Sequence, residues 1–145
     1  MGIIKVERGI MEKIQAKYLG DLRVEATHMR SGTKLTTDAP VDNHGLGRSF
    51  SPTDLLCSAA AACMLTIMGV AAKTSGFSID GATVEVTKEM AAEPRRVGRM
   101  TFAIDMRGLQ LDAKSRKIVE RSAQTCPVMQ SLDPSMEKEL HFIYE

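Results

Sequence analysis

The side chains best suited to chemistry in this sequence are three thiols, Cys57, Cys63 and Cys126. Cys63 stands midway along a long apolar stretch, and Cys126 stands directly before Pro127, at the N-cap position of a short helix. A thiol at a helix N-terminus meets unpaired N–H groups and the positive end of the dipole, which favours thiolate. A thiol buried among Ala and Met is pushed the other way unless a cation is brought to it. On this argument Cys126 is the more acidic, and Cys63 needs an arginine from outside its helix, for which the preceding loop offers Arg48. Cys57 and Cys63 are six residues apart, roughly 9 Å along a helix axis and about 120° around it, so any disulfide has to be long-range. The plain alternative is that free cysteines pack as small hydrophobes.

Other chemistries find little support. No Cys or His pair has metal-ligand spacing, and His28, His44 and His141 are scattered. There is no nucleophile elbow for serine hydrolysis, and the Gly-Leu-Gly at 45–47 is too short to cradle a phosphate. Lys+Arg number 19 against Asp+Glu 18, with no basic run longer than Arg95-Arg96, which argues against nucleic acid as a partner. Ten Met against no Trp leave few aromatic platforms for stacking bases or sugars. An odd cysteine count without a recognisable leader fits a reducing cytoplasm better than a secreted disulfide scaffold. Thiol redox chemistry, with no metal and no cofactor, is what survives.

The elements that must position these thiols follow from the pattern. Strands are expected at 14–18, 22–27 and 34–37, separated by turn signals, and then an irregular loop over 38–50. Ser51-Pro52-Thr53-Asp54 announces a helix, with Ser51 as N-cap, Pro52 at the first helical position and Asp54 as the acidic capping member. From 55 to 72 there follow 18 residues without a charge. That is long enough to span a membrane, but Ser58 and the alanines at 59–62 suit close packing against protein rather than lipid. A helix with no polar face must be covered on every side, and one small sheet covers one side; packing two such helices across a twofold axis covers the rest, which predicts a homodimer. Strands follow at 82–90 and 100–106, the second with Met100, Phe102, Ile104 and Met106 on one face. Asp112 caps a helix to about 125, Pro127 opens a shorter one ending near Leu132, and 138–144 forms a last strand. The whole chain, 1–145, reads as one α+β domain with residues 1–11 as an N-terminal extension.

The run SPTDLLCSAAAACMLTIMG, followed about sixty residues later by AQTCPVMQSL, resembles the OsmC/Ohr family of organic hydroperoxide reductases. That family's helix reads broadly [N/S]-P-x-[E/D]-L, then hydrophobic and small residues ending in A-A-C, and its second cysteine precedes a proline. The resemblance implies an intertwined homodimer in which antiparallel sheets pack around a long buried central helix from each subunit. It makes Cys63 the peroxidatic thiol and Cys126 the resolving one, against the helix-dipole preference. It sets the acidic residue, here Asp54, to orient an arginine on the peroxide, for which Arg48, Arg23 and Arg30 are the candidates. The implied reaction reduces an organic hydroperoxide to an alcohol through a sulfenic acid and an intramolecular disulfide, renewed by a dithiol or lipoyl-type reductant. Cys57 reads as core, with a regulatory or alternative resolving thiol as the other reading. Two rival functions remain open from the residues: a non-catalytic dimer that binds a hydrophobic ligand, and a redox-sensing protein.

Overall fold

A computed structural model describes residues 2–145, which divide into two compact units, one ending at Pro52 and one beginning at Thr53. Residues 2–13 have no regular secondary structure. In the N-terminal unit β1 (Ile14–Gly20), β2 (Arg23–His28) and β3 (Lys34–Asp38) form an antiparallel sheet in chain order. The first turn puts Asp21 and Leu22 at φ 55° and 63°, the left-handed pair whose twist matches the flanking strands, and the register slips between Tyr18 and Gly20. Ile14, Ala16 and Tyr18 pair with His28, Ala26 and Val24, and Ala26 pairs onward with Leu35, so these apolar side chains share one face. Ile14 and Tyr18 are 66% and 63% exposed.

The C-terminal unit is built on α1 (Pro52–Ser75), β4 (Thr83–Ala91), β5 (Arg96–Asp105), α2 (Ala113–Gln124), α3 (Pro127–Ser131) and β6 (Glu137–Ile143). These are the elements the sequence pattern calls for. β4 and β5 are an antiparallel hairpin, but β6 joins β5 in parallel, so the second sheet is mixed rather than purely antiparallel. The reason is the connection: α2 and α3 form a helical crossover between β5 and β6, which returns the chain to the end from which β5 started.

The alternation along β5 aims Met100, Phe102 and Ile104 into the core, each fully buried, and Met106 continues the series just beyond the strand. α1 meets them with Cys57, Ala60, Met64, Met68 and Ala72, a stripe at three- and four-residue spacing, and α2 closes the layer with Val119 and Ala123. Asp112 caps α2, its carboxylate accepting from the Ser115 N–H at 2.8 Å. At the C-terminus the Tyr144 hydroxyl donates to Glu120 Oε1 at 2.8 Å while the Arg116 guanidinium lies 4.3 Å from the centre of its ring.

The other side of α1 has no such cover. Leu56 and Val70 are 37% and 58% exposed, and only 28% of the helix's most apolar 18-residue window is buried within this chain. Phe102→Ala removes the largest fully buried side chain and should cost about 3 to 5 kcal/mol. Urea unfolding of the two proteins measures it, and a cost under about 1 kcal/mol would mean that β5 is not the core strand.

Candidate active site

Two elements far apart in sequence converge on one pair of sulfurs. Cys63 sits on α1, one residue before the buried Met64 and so at the margin of the core-facing stripe, partly accessible. Cys126 is the N-cap of α3, where Pro127 at the first helical position forces the chain to turn, and it is fully buried. Cys63 is close enough to the Cys126 thiol to perturb it. All three cysteines are free thiols.

The electrostatics of Cys126 overturn the helix-dipole argument. Burial pushes its thiol up from the usual range, and the neighbouring Cys63 pushes it in the same direction, while the N–H groups of Met129 and Val128 pull it down. Burial wins because α3 is only five residues long, so its dipole is small, and the sulfur has no access to water. Cys126 is therefore held as a protonated thiol. Cys57 is also pushed up by burial, against the opposing pull of the Lys88 ammonium, and it packs on the core side of α1 as the sequence suggests.

Two of the charged residues singled out with the thiols, Asp54 and Arg48, each form an ion pair within their own unit. Asp54 forms an ion pair with Lys88 of β4 at 2.8 Å, and the same ammonium donates to Thr53 Oγ1 at 2.9 Å. A cation at the first turn of a helix works against the macrodipole, so Asp54 compensates for Lys88 there. Arg48 is taken by Asp38: its Nε and backbone N–H donate to Oδ2 at 2.7 and 3.0 Å. These bonds hold the Asp38 carboxyl down at about 2 even though it is buried.

Arg30 makes a surface ion pair with Glu12 at 2.9 Å. Arg23, opposite Asp38 in the β2–β3 register, keeps its Nε buried without a hydrogen-bond partner among the described residues. Lys88 was missed in sequence reasoning. Its signal was present, since a lysine in the alternation of β4 falls on the face of Val84 and Val86, which side chains pack against the core.

A family model for OsmC-like protein matches residues 44–141, which takes in both cysteine motifs. The chain belongs to the OsmC-like protein family. A crystal structure from Psychrobacter arcticus, of a candidate osmotic stress induced and detoxification response protein, is 44% identical, with a TM-score of 0.86 over 94% of this chain and 99% of that one. An organic hydroperoxide resistance protein OsmC from Legionella pneumophila shares the fold at 17% identity, with a TM-score of 0.71 over 94% and 99% of the two chains. OhrB of Bacillus subtilis, an organic hydroperoxide resistance protein, does so at 17% identity and a TM-score of 0.67, over 92% and 98%. A search of curated proteins finds no match.

Access and protonation should order the thiols. Under native conditions at pH 8, iodoacetamide should label Cys63 well before Cys57 or Cys126, and the two buried thiols should react only on denaturation. Peptide mapping over a time course reads this, and early labelling of Cys126 would show that it is an accessible thiolate.

Proposed function

We propose that this protein is a cysteine-based peroxidase that reduces organic hydroperoxides to alcohols. The observation that carries the reading is the meeting of Cys63 and Cys126, one partly accessible and one buried and protonated, close enough for the first to perturb the second. The family supports it, since relatives of the same fold are organic hydroperoxide resistance proteins.

In the cycle the Cys63 thiolate attacks one peroxide oxygen, the O–O bond breaks, and the departing alkoxide takes a proton to leave as the alcohol. Cys63 is then a sulfenic acid. Cys126 attacks that sulfur, and its proton leaves with the sulfenic hydroxyl as water, which closes the disulfide. An external dithiol, lipoyl-type or otherwise, returns both thiols by exchange. A protonated, buried resolving thiol suits this order, because it does not compete for peroxide and loses its proton only as it reacts. Arg48, Arg23 and Arg30 are the candidates for the cation on the peroxide; Arg48 is tied to the Asp38 carboxylate and Arg23 retains an unused donor. Asp54 contributes by holding Lys88 at the start of the helix that carries Cys63. Apolar surroundings favour an alkyl peroxide over hydrogen peroxide, since each buried CH₂ adds roughly 0.8 kcal/mol. Neighbouring free thiols fit a reducing, cytoplasmic setting.

The working unit in this reading is a homodimer. An α1 face with Val70 exposed, and a β1–β2–β3 face with Ile14 and Tyr18 exposed, are two apolar surfaces that a second copy covers. Sedimentation at micromolar concentration should give twice the 15.8 kDa chain mass, and Val70→Glu should shift it toward the monomer; a wild-type monomer overturns the assembly.

One equivalent of cumene hydroperoxide added to the reduced protein should remove two hydrogen atoms from the intact mass, with Cys63 joined to Cys126 in the peptide map. Cys63→Ser should abolish turnover, while Cys126→Ser should stop at a sulfenic acid that dimedone traps. Three untouched thiols, or full turnover by Cys63→Ser, would overturn the peroxidase.

A further inference from the structure

A cleft of about 560 Å³ opens between the first turns of α1, the β4–β5 hairpin and the segment that follows α3. That volume is in the range of small-molecule sites, roughly 300 to 1,000 Å³. Its walls are mostly aliphatic, with Leu56 from α1, Val97 from β5, and Leu132 and Met136 after α3.

Three charged residues also line it, and their bonding states differ. The Asp133 carboxylate accepts from the N–H and hydroxyl of Ser135 at 2.8 and 2.7 Å, closing its own turn. Glu137 is taken by Arg99, whose Nε donates to it at 2.7 Å. Arg96 is bound differently. Its Nη1 donates to the backbone carbonyls of Ala92 and Pro94 at 3.1 and 2.7 Å, and it forms no ion pair among the described residues. The hairpin's carbonyls therefore fix the guanidinium through one nitrogen and leave Nε and Nη2, on its other edges, without a bonded anion, although its charge reaches Asp133 and helps hold that carboxyl down. A held guanidinium beside an aliphatic wall, with the local carboxylates already engaged, is complementary to a ligand with one anionic head and an apolar body.

We propose that this cleft is a binding site for an amphipathic carboxylate, its head on Arg96 and its chain along Leu56, Val97 and Leu132. The site is separate from the thiols and does not depend on the peroxidase reading. Guanidinium recognition of the head is bidentate in kind, so charge and planarity both matter and a neutral hydroxyl is a poor substitute.

Decanoate, decanol and decyltrimethylammonium are the probes, titrated into the intact protein and followed by calorimetry and by backbone amide shifts. Decanoate should bind saturably at one site per chain, with shifts centred on residues 96–98 and 131–137, and at least about tenfold tighter than decanol or the cationic amphiphile. Arg96→Gln should reduce decanoate to the affinity of decanol while leaving peroxide turnover unchanged. Equal affinity for the three probes would show a mere apolar patch and overturn the proposal, as would an unchanged affinity in Arg96→Gln, shifts centred elsewhere, or the absence of saturation. Loss of turnover in every variant, or none in the wild type, bears on the peroxidase alone.

Discussion

Eighteen consecutive uncharged residues have to be removed from water, and a helix is the only element of that length that satisfies its own backbone while presenting side chains all round. One sheet can touch one side of it. In this chain the side that is touched carries Cys57, Ala60, Met64, Met68 and Ala72, and the sheet answers with Met100, Phe102 and Ile104. The methionines let the two surfaces fit without aromatic bulk. The position of Cys63 follows from that arrangement. One residue from the core stripe, its sulfur lies at the boundary between the packed side and the uncovered side, which is where a thiol can be both shielded and reached.

The second sulfur is placed by a different device. The helical crossover from β5 to β6 has to return along the sheet, and the sharp turn at Cys126-Pro127 between α2 and α3 brings the chain against α1. The meeting of the two sulfurs thus joins a residue fixed by packing to one fixed by topology. The charges arrange themselves around this scaffold by the nearest opposite partner: Lys88 on Asp54, Arg48 on Asp38, Arg99 on Glu137.

What the sequence made legible was whatever local periodicity and capping encode. The period-two run at 100–106, the Ser51-Pro52 helix start, the Asp112 cap and the Cys126-Pro127 junction are all signals contained within a few residues, and each corresponds to an element in the structure. The parallel pairing of β6 was not legible, because direction within a sheet is decided by the path of α2 and α3 in space and leaves no mark in the strand's own alternation. The acidity of Cys126 was misread for a related reason. The N-cap position is local and visible, but complete burial of the sulfur is a property of the fold, and in a five-residue helix burial outweighs the dipole. The ion pairs failed to declare themselves in the same way: Lys88 lies 34 residues from Asp54, and no spacing rule links a strand lysine to a helix start.

The parallel strand also bears on the order in which the molecule can come into being. A parallel partner for β5 exists only once the chain has travelled through two helices, so β4–β5 and α1 can associate through comparatively local contacts while β6 and the α3 turn wait on a long-range closure. During synthesis Cys63 is thus committed to a helix long before Cys126 has been made. An opening that carries α3 away with the C-terminal strand separates the sulfurs without dismantling the helix that carries the first, so the seating of the segment from Cys126 onward is the condition on which the two thiols remain neighbours.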